Sequence, residues 1–325
     1  METVVDQKAI NVIDYLPFDN AILVLKSYKR ERILSIEGQD TTYRSYGLEK
    51  LKATSIFQDC FDNIHLLTED SAYQIWMDST LQFISSSGIK DFNDAVKSCI
   101  ADFNESNVFY NFTNRNKKYT LTSIDKKSKT RNTIFISHDE VAEQVAQVCY
   151  DSIIRMYYKV TPDYANIISA GAWSGDLMEL NSINFHLDWL ISWYLKVRGT
   201  KLNIQSFQWE NLIYTLDQFK DSVYIQDDSN KLLEVKPHSF AKSNRVFDVI
   251  QDRASGSFYE LELKNGIYSL TQVTLESNKA SKEIVLTEAP LCKNIQVHDD
   301  WVYFMVRQND FYQINRIYLK WEFQN

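Results

Sequence analysis

Apolar and polar positions alternate along this chain in short runs, and the runs recur. The unit is an apolar strand, a polar turn containing Asp or Asn, and a second apolar strand. It reads INVIDYLPFDNAILVL from Ile10, SIFQDCFDNIHLL from Ser55 and SCIADFNESNVFYNF from Ser98. It returns as LIYTLDQFKDSVYI from Leu212, RVFDVIQDRASGSFYEL from Arg245 and NIQVHDDWVYFMV from Asn294. The second strands start at Asn20, Asn63, Asn107, Asp221, Ser257 and Trp301, in steps of 43, 44, 114, 36 and 44. Four of these steps match a four-stranded propeller blade; the long one equals a blade plus an insertion of about 70 residues.

Further strand-like runs, rich in Tyr, Phe, Ile and Val, follow each unit, such as SAYQIWMD, KKYTLTSID and RNTIFIS. Alternation is clear over Tyr268–Leu270 and Gln313–Leu319. Lys264-Asn265-Gly266 has the composition of a tight hairpin, because Asn-Gly tolerates the positive φ such a turn demands. A four-stranded blade exposes two apolar faces, and radial stacking buries both. The expected fold is therefore all-β: a six-bladed β-propeller over residues 1–325, with a helical insertion between blades three and four. After Trp301 only three strands remain, so Val4–Asp6 or Ala9–Tyr15 is expected to supply the fourth and fasten the ring.

Residues 138–200 interrupt the repeat. Ser137-His138-Asp139-Glu140 has the form of a capping box. Val141, Val145, Val148, Ser152, Met156 and Val160 follow at helical spacing, and Pro162 ends the run, which predicts a helix of roughly twenty residues. Phe185–Val197 alternates with period two, which predicts a long strand. Between them lies the loop Ala170–Asp176, carrying Trp173 between glycines. Little helix is expected outside 138–165.

Composition refines this picture. Aromatics make up 14% of 325 residues, which favours strands. Only 8 Gly and 4 Pro are present, so Asn and Asp must supply most of the turn chemistry. The formal net charge of -8 argues against nucleic acid as a partner. No leader-like or membrane-length apolar stretch is seen, so no membrane insertion is expected. The four cysteines, Cys60, Cys99, Cys149 and Cys292, form no Cys-x-x-Cys pair, and four free thiols are expected.

The stretches SIFQDCFDNIHLLTEDSAYQIW, GAWSGDL and KNGIYSL…KNIQVHDDWVYFMVR resemble a group of uncharacterised six-bladed propeller proteins of Bacteroidetes-type bacteria, over about Ile10 to Leu319. The resemblance implies a fold, not an activity. It also implies that such a propeller can be the C-terminal part of an exported protein, after a small β-sandwich, and so be periplasmic or extracellular.

Several constellations bear on chemistry. Asp248 with Glu262-Leu263-Lys264 has the skeleton of a metal-dependent nuclease, a remote alternative to the favoured reading, a hairpin with solvated charges. Ser174 lacks the Gly-x-Ser-x-Gly elbow of a hydrolase. Asp227–Asn230 lacks the offsets of a calcium loop and reads as a turn. Lys126–Lys129 reads as a solvated hairpin tip, and His65, His186 and His298 fall in strand patterns. No catalytic residue, metal ligand or cofactor is indicated. The expected function is a monomeric, non-catalytic binding propeller for a protein, peptide or glycan, with Trp173, Ser174 and Asp176 as the binding residues. The alternative is a glycan- or peptide-processing hydrolase or lyase with its site at the channel mouth.

Overall fold

A computed structural model describes residues 1–5, 10–18, 21–29, 31–37, 41–43, 51–78, 80–103, 106–113, 118–138, 140–160, 191–194, 203–238, 240, 247–273 and 283–319. Six four-stranded antiparallel sheets form the six blades of a β-propeller. Blade 1 runs β2 (Asn11–Phe18), β3 (Ala21–Tyr28), β4 (Glu31–Glu37) and β5 (Thr41–Tyr43). Blade 2 runs β6 (Ser55–Gln58), β7 (Ile64–Leu67), β8 (Ser71–Met77) and β9 (Leu81–Gly88). Blade 3 has β10 (Cys99–Asp102), β11 (Asn107–Thr113), β12 (Lys118–Asp125) and β13 (Arg131–His138). Blade 4 has β14 (Ile204–Trp209), β15 (Leu212–Asp217), β16 (Ser222–Asp227) and β17 (Leu232–Pro237). Blade 5 has β18 (Phe247–Gln251), β19 (Phe258–Lys264), β20 (Ile267–Gln272) and β21 (Glu283–Val285).

Blade 6 is made from both ends of the chain. β22 (Lys293–His298), β23 (Trp301–Gln308) and β24 (Phe311–Tyr318) are joined by β1 (Glu2–Val5), antiparallel to β24. The N-terminal closing strand is thus the first of the two expected segments. Arg316 holds it with two hydrogen bonds to Glu2, at 3.0 and 3.1 Å, and stacks its guanidinium 4.1 Å from the Trp301 ring.

The core sits between blades, and strand alternation explains why. Leu23 and Leu25 on β3 pack toward blade 2 with Leu66 and Ile75. Their neighbours Ile22 and Val24 pack toward blade 6 with Tyr303 and Met305. β23 repeats the device: Val302 and Phe304 face Tyr259 and Leu270 of blade 5. Successive strand residues point to opposite faces, so a blade buried on both sides needs unbroken apolar runs such as AILVL and WVYFM.

Turn chemistry follows the low glycine count. Of the twelve described non-glycine residues with positive φ, eight are Asn or Asp. Asn265 (φ 54) and Gly266 (φ 80) form the expected hairpin. Asp59, Asp217, Asp227 and Asp252 each accept backbone N–H groups of the turn that follows.

Several expectations need correction. In blade 4 the motif from Leu212 spans the second and third strands, so the second strand starts at Leu212 rather than Asp221. Every hairpin in an antiparallel blade shares one pattern, and only sheet order tells the first from the second. Ser137 and His138 belong to β13, so the capping box does not start the helix; α2 spans Glu140–Val160. Among its described side chains Cys149 and Ile153 are buried, whereas Val141 and Val148 are exposed. Residues 191–194 are helical, not strand, with Ile191 and Tyr194 buried. The segment Trp189–Leu195 is apolar except at Ser192, and such a run satisfies a period of three to four as well as a period of two. A second short helix, α1 (Ile89–Ala95), lies outside the expected region.

The cysteine expectation also fails, because Cys60 and Cys99 form a disulfide between blades 2 and 3, with Cα atoms 5.7 Å apart. The two are 39 residues apart in sequence and come together only through the blade repeat. Cys149 and Cys292 are free and buried. Thiol titration of the denatured, unreduced protein is therefore expected to return two groups, and four after reduction. Four without reduction would exclude the bridge.

Packing divides the chain into two compact units, 1–111 with 122–132 and 205–325, and 112–121 with 133–204. The first contains the candidate site.

Candidate functional site

The first strands of neighbouring blades touch one another, β2 against β6 and β22, and β18 against β22. Side chains of these strands lace the blades together. Gln205 Nε2 donates to Asp248 Oδ1 at 2.9 Å while its Oε1 accepts from Val249 N–H at 2.7 Å. Gln251 Nε2 reaches Gln208 O at 2.5 Å, and Gln296 Nε2 reaches Tyr15 O at 2.8 Å.

Asp14 ties three blades. Its carboxylate accepts Tyr15 N–H at 2.9 Å, Ile56 N–H of blade 2 at 2.7 Å, and the Asn294 side-chain amide of blade 6. The residue is buried, and burial raises its pKa to about 6 against the pull of those three donors. A carboxyl whose folded pKa lies above its unfolded value of 3.8 binds more protons in the folded state between those values. Its contribution to stability is therefore largest below pH 3.8 and declines as pH rises toward 6. The stability difference between wild type and Asp14→Asn is expected to shift against wild type by up to about 3 kcal/mol between pH 4 and pH 7, at 1.36 kcal/mol per pKa unit. Urea melts of both proteins across that range check it; a constant difference would show that Asp14 does not titrate there.

Where the strand ends of blades 1, 2, 5 and 6 converge, they enclose a cavity of about 250 Å³. Gln58, Gln251 and His298, the last residues of β6, β18 and β22, line it together with Gln296 and Arg253. Leu16, Ile56, Ile250 and Val297 supply apolar wall. The Arg253 guanidinium donates to Gln58 Oε1 across the cavity at 2.7 Å. Gln58 in turn donates to Asp62 Oδ1 at 3.2 Å. Surrounding protein lowers the pKa of Arg253 by desolvation, against the opposing fields of Asp62 and Asp59. Among the described residues no carboxylate lies within 4.0 Å of its nitrogens. Asp59 is engaged elsewhere, with His65 at 2.8 Å and the N–H groups of Phe61 and Asn63. Burial raises its pKa, but those hydrogen bonds outweigh it and hold the carboxyl below its usual value.

The sequence-based candidates fare unevenly. Trp173, Ser174, Asp176 and His186 lie outside the described residues. Asp248 pairs with Leu261 and Phe247 with Glu262, so Asp248 and Glu262 point to opposite faces of blade 5 and cannot share a metal. Asp227 caps a plain turn through Ser229 and Lys231, and Lys126–Lys129 link β12 to β13. His65 is buried against Asp59, whereas His298 lines the cavity. No cluster of three His, Cys, Asp or Glu side chains suited to a metal occurs among the described residues. Arg253 escaped notice, although a signal existed. Gln-Asp recurs at the ends of first strands, Gln58-Asp59 and Gln251-Asp252, with the Gln lining the cavity and the Asp capping the turn.

No protein-family model matches the chain, and no curated protein matches it. Solved structures similar to it include a putative exported protein from Bacteroides fragilis, 8% identical, TM-score 0.41, covering 94% of this chain and 82% of that one. A protein of unknown function from Bacteroides thetaiotaomicron is 11% identical, TM-score 0.38, over 97% and 72%. Virginiamycin B lyase from Staphylococcus aureus is 7% identical, TM-score 0.38, over 99% and 89%. The chain's own six four-stranded sheets make it a six-bladed β-propeller.

Proposed function

We propose that this protein is a binding propeller that takes part of a peptide or glycan into the cavity at the ends of β2, β6, β18 and β22. The observation that carries this reading is the Arg253 guanidinium, placed in a cavity walled by four blades with an amide rather than a carboxylate as its partner. A guanidinium whose hydrogen-bond partner is a neutral amide keeps further N–H donors for an anionic or polar ligand group. The cavity-lining glutamines Gln251 and Gln296 also join blades, whereas ring closure does not require the imidazole of His298 there. Probing peptide and glycan arrays with wild type and with His298→Trp, which adds bulk at the cavity, tests the reading. Capture by wild type that His298→Trp abolishes supports it; capture that survives the substitution moves the site elsewhere.

We further propose that the protein works outside the reducing cytoplasm. The Cys60–Cys99 bridge supports this, because such bonds persist in oxidising compartments. The Trp173–Asp176 loop is proposed as a second contact, for which Trp173→Ala should weaken capture and leave the melting temperature unchanged.

A further inference from the structure

We infer that the cavity recognises a free carboxylate presented by the C-terminal end of a peptide, with Arg253 as the residue that binds it. The inference rests on the cavity being a binding site and names its ligand class. The guanidinium has five N–H donors in a planar fork, a shape that matches a carboxylate with two parallel bonds. One donor goes to Gln58 Oε1, and Gln58 is itself oriented by its bond to Asp62. That bond orients one edge of the fork and leaves the other donors for a ligand.

The glutamines add the second half of the argument. Gln251 and Gln296 spend their Nε2 groups on the backbone carbonyls of Gln208 and Tyr15. That fixes both amides, on side chains that line the cavity, and leaves their Oε1 atoms to accept from a ligand. A ligand that satisfies the site thus needs an anion for Arg253 and N–H donors for the amide oxygens, and a peptide end carries both. The aliphatic wall of Leu16, Ile56, Ile250 and Val297 suits an apolar side chain better than the hydroxyls of a sugar. The volume of about 250 Å³ lies below the roughly 300–1,000 Å³ of pockets for drug-sized ligands, which favours a chain end over a long segment.

The test compares N-acetyl-Leu-Leu carrying a free carboxylate with its C-terminal amide, by titration calorimetry or amide chemical-shift mapping. The free acid is expected to bind at least tenfold more tightly than the amide. Arg253→Gln should remove that preference while the melting temperature stays near wild type, and Arg253→Lys, which keeps the charge but not the fork, should recover only part of it. Should Arg253→Gln fail to fold, Arg253→Lys and the acid–amide comparison on wild type still decide. Equal binding of acid and amide, lost in His298→Trp, would leave the binding site standing and overturn the carboxylate. Binding of digalacturonate but neither peptide, lost in Arg253→Gln, would keep an anion site and overturn the peptide. No binding of any of the three, together with arrays that capture nothing, would overturn both the inference and the reading beneath it.

Discussion

Asp252→Ala is expected to lower the unfolding free energy by about 4 kcal/mol, as the loss of the hydrogen bonds to one buried carboxylate at about 1 kcal/mol net each. Asp252 is fully buried at the end of β18. Its Oδ1 accepts Ala254 N–H at 2.9 Å and Asp299 N–H at 3.1 Å. Its Oδ2 accepts the Ser255 hydroxyl at 2.8 Å and Asp300 N–H at 3.3 Å. One carboxylate therefore closes the turn of blade 5 and anchors the turn of blade 6, where Asp299 and Asp300 both hold positive φ. Asp252→Asn keeps one oxygen and should lose roughly half as much. Denaturant unfolding of the three proteins measures this; a loss below about 1 kcal/mol for the alanine variant would mean that water replaces the carboxylate.

Gly256→Ala should cost about 3–4 kcal/mol, combining about 1–2 for a left-handed backbone with about 1–3 for overpacking. Gly256 has φ +73, and a Cβ there would stand 2.2 Å from Cδ2 and Cε2 of Trp209. Trp209 ends β14, so the glycine is where the indole of blade 4 lies flat on the turn of blade 5. The double variant with Trp209→Ala separates the two costs. Once the ring is gone only backbone strain remains, and the combined loss should fall short of the sum of the single losses. Strict additivity would show that the ring moves aside freely.

The blade repeat was legible because turn chemistry is local. Asp-x-x-x-Asn-type turns and the apolar runs beside them announce themselves within a dozen residues, as at Asp59–Asn63. The expected second-strand starts Asn63, Asn107 and Trp301 fall at or beside the observed ones. What stayed hidden depends on distant partners. Asp217 and Asp252 both cap hairpins, but one follows a second strand and the other a first, and only neighbouring blades distinguish them. Cys60 meets Cys99, and Arg253 meets Gln58 195 residues away in sequence, through ring geometry that no local spacing records. The binding-residue expectation settled on Trp173 because an aromatic between glycines is conspicuous, whereas a lone Arg in a turn is not.

The pairing of β1 with β24 sets an order of events during synthesis on the ribosome. Residues 2–5 precede their strand partner, 311–318, by about three hundred residues. Until that partner is made blade 1 has no blade 6 to cover Ile22 and Val24, and that apolar face must stay shielded from other nascent chains. The Cys60–Cys99 bond demands no such wait, because its two partners are only 39 residues apart. Oxidation can thus lock blades 2 and 3 together early, while annular closure is the final step and the one most exposed to a holdase or a truncation.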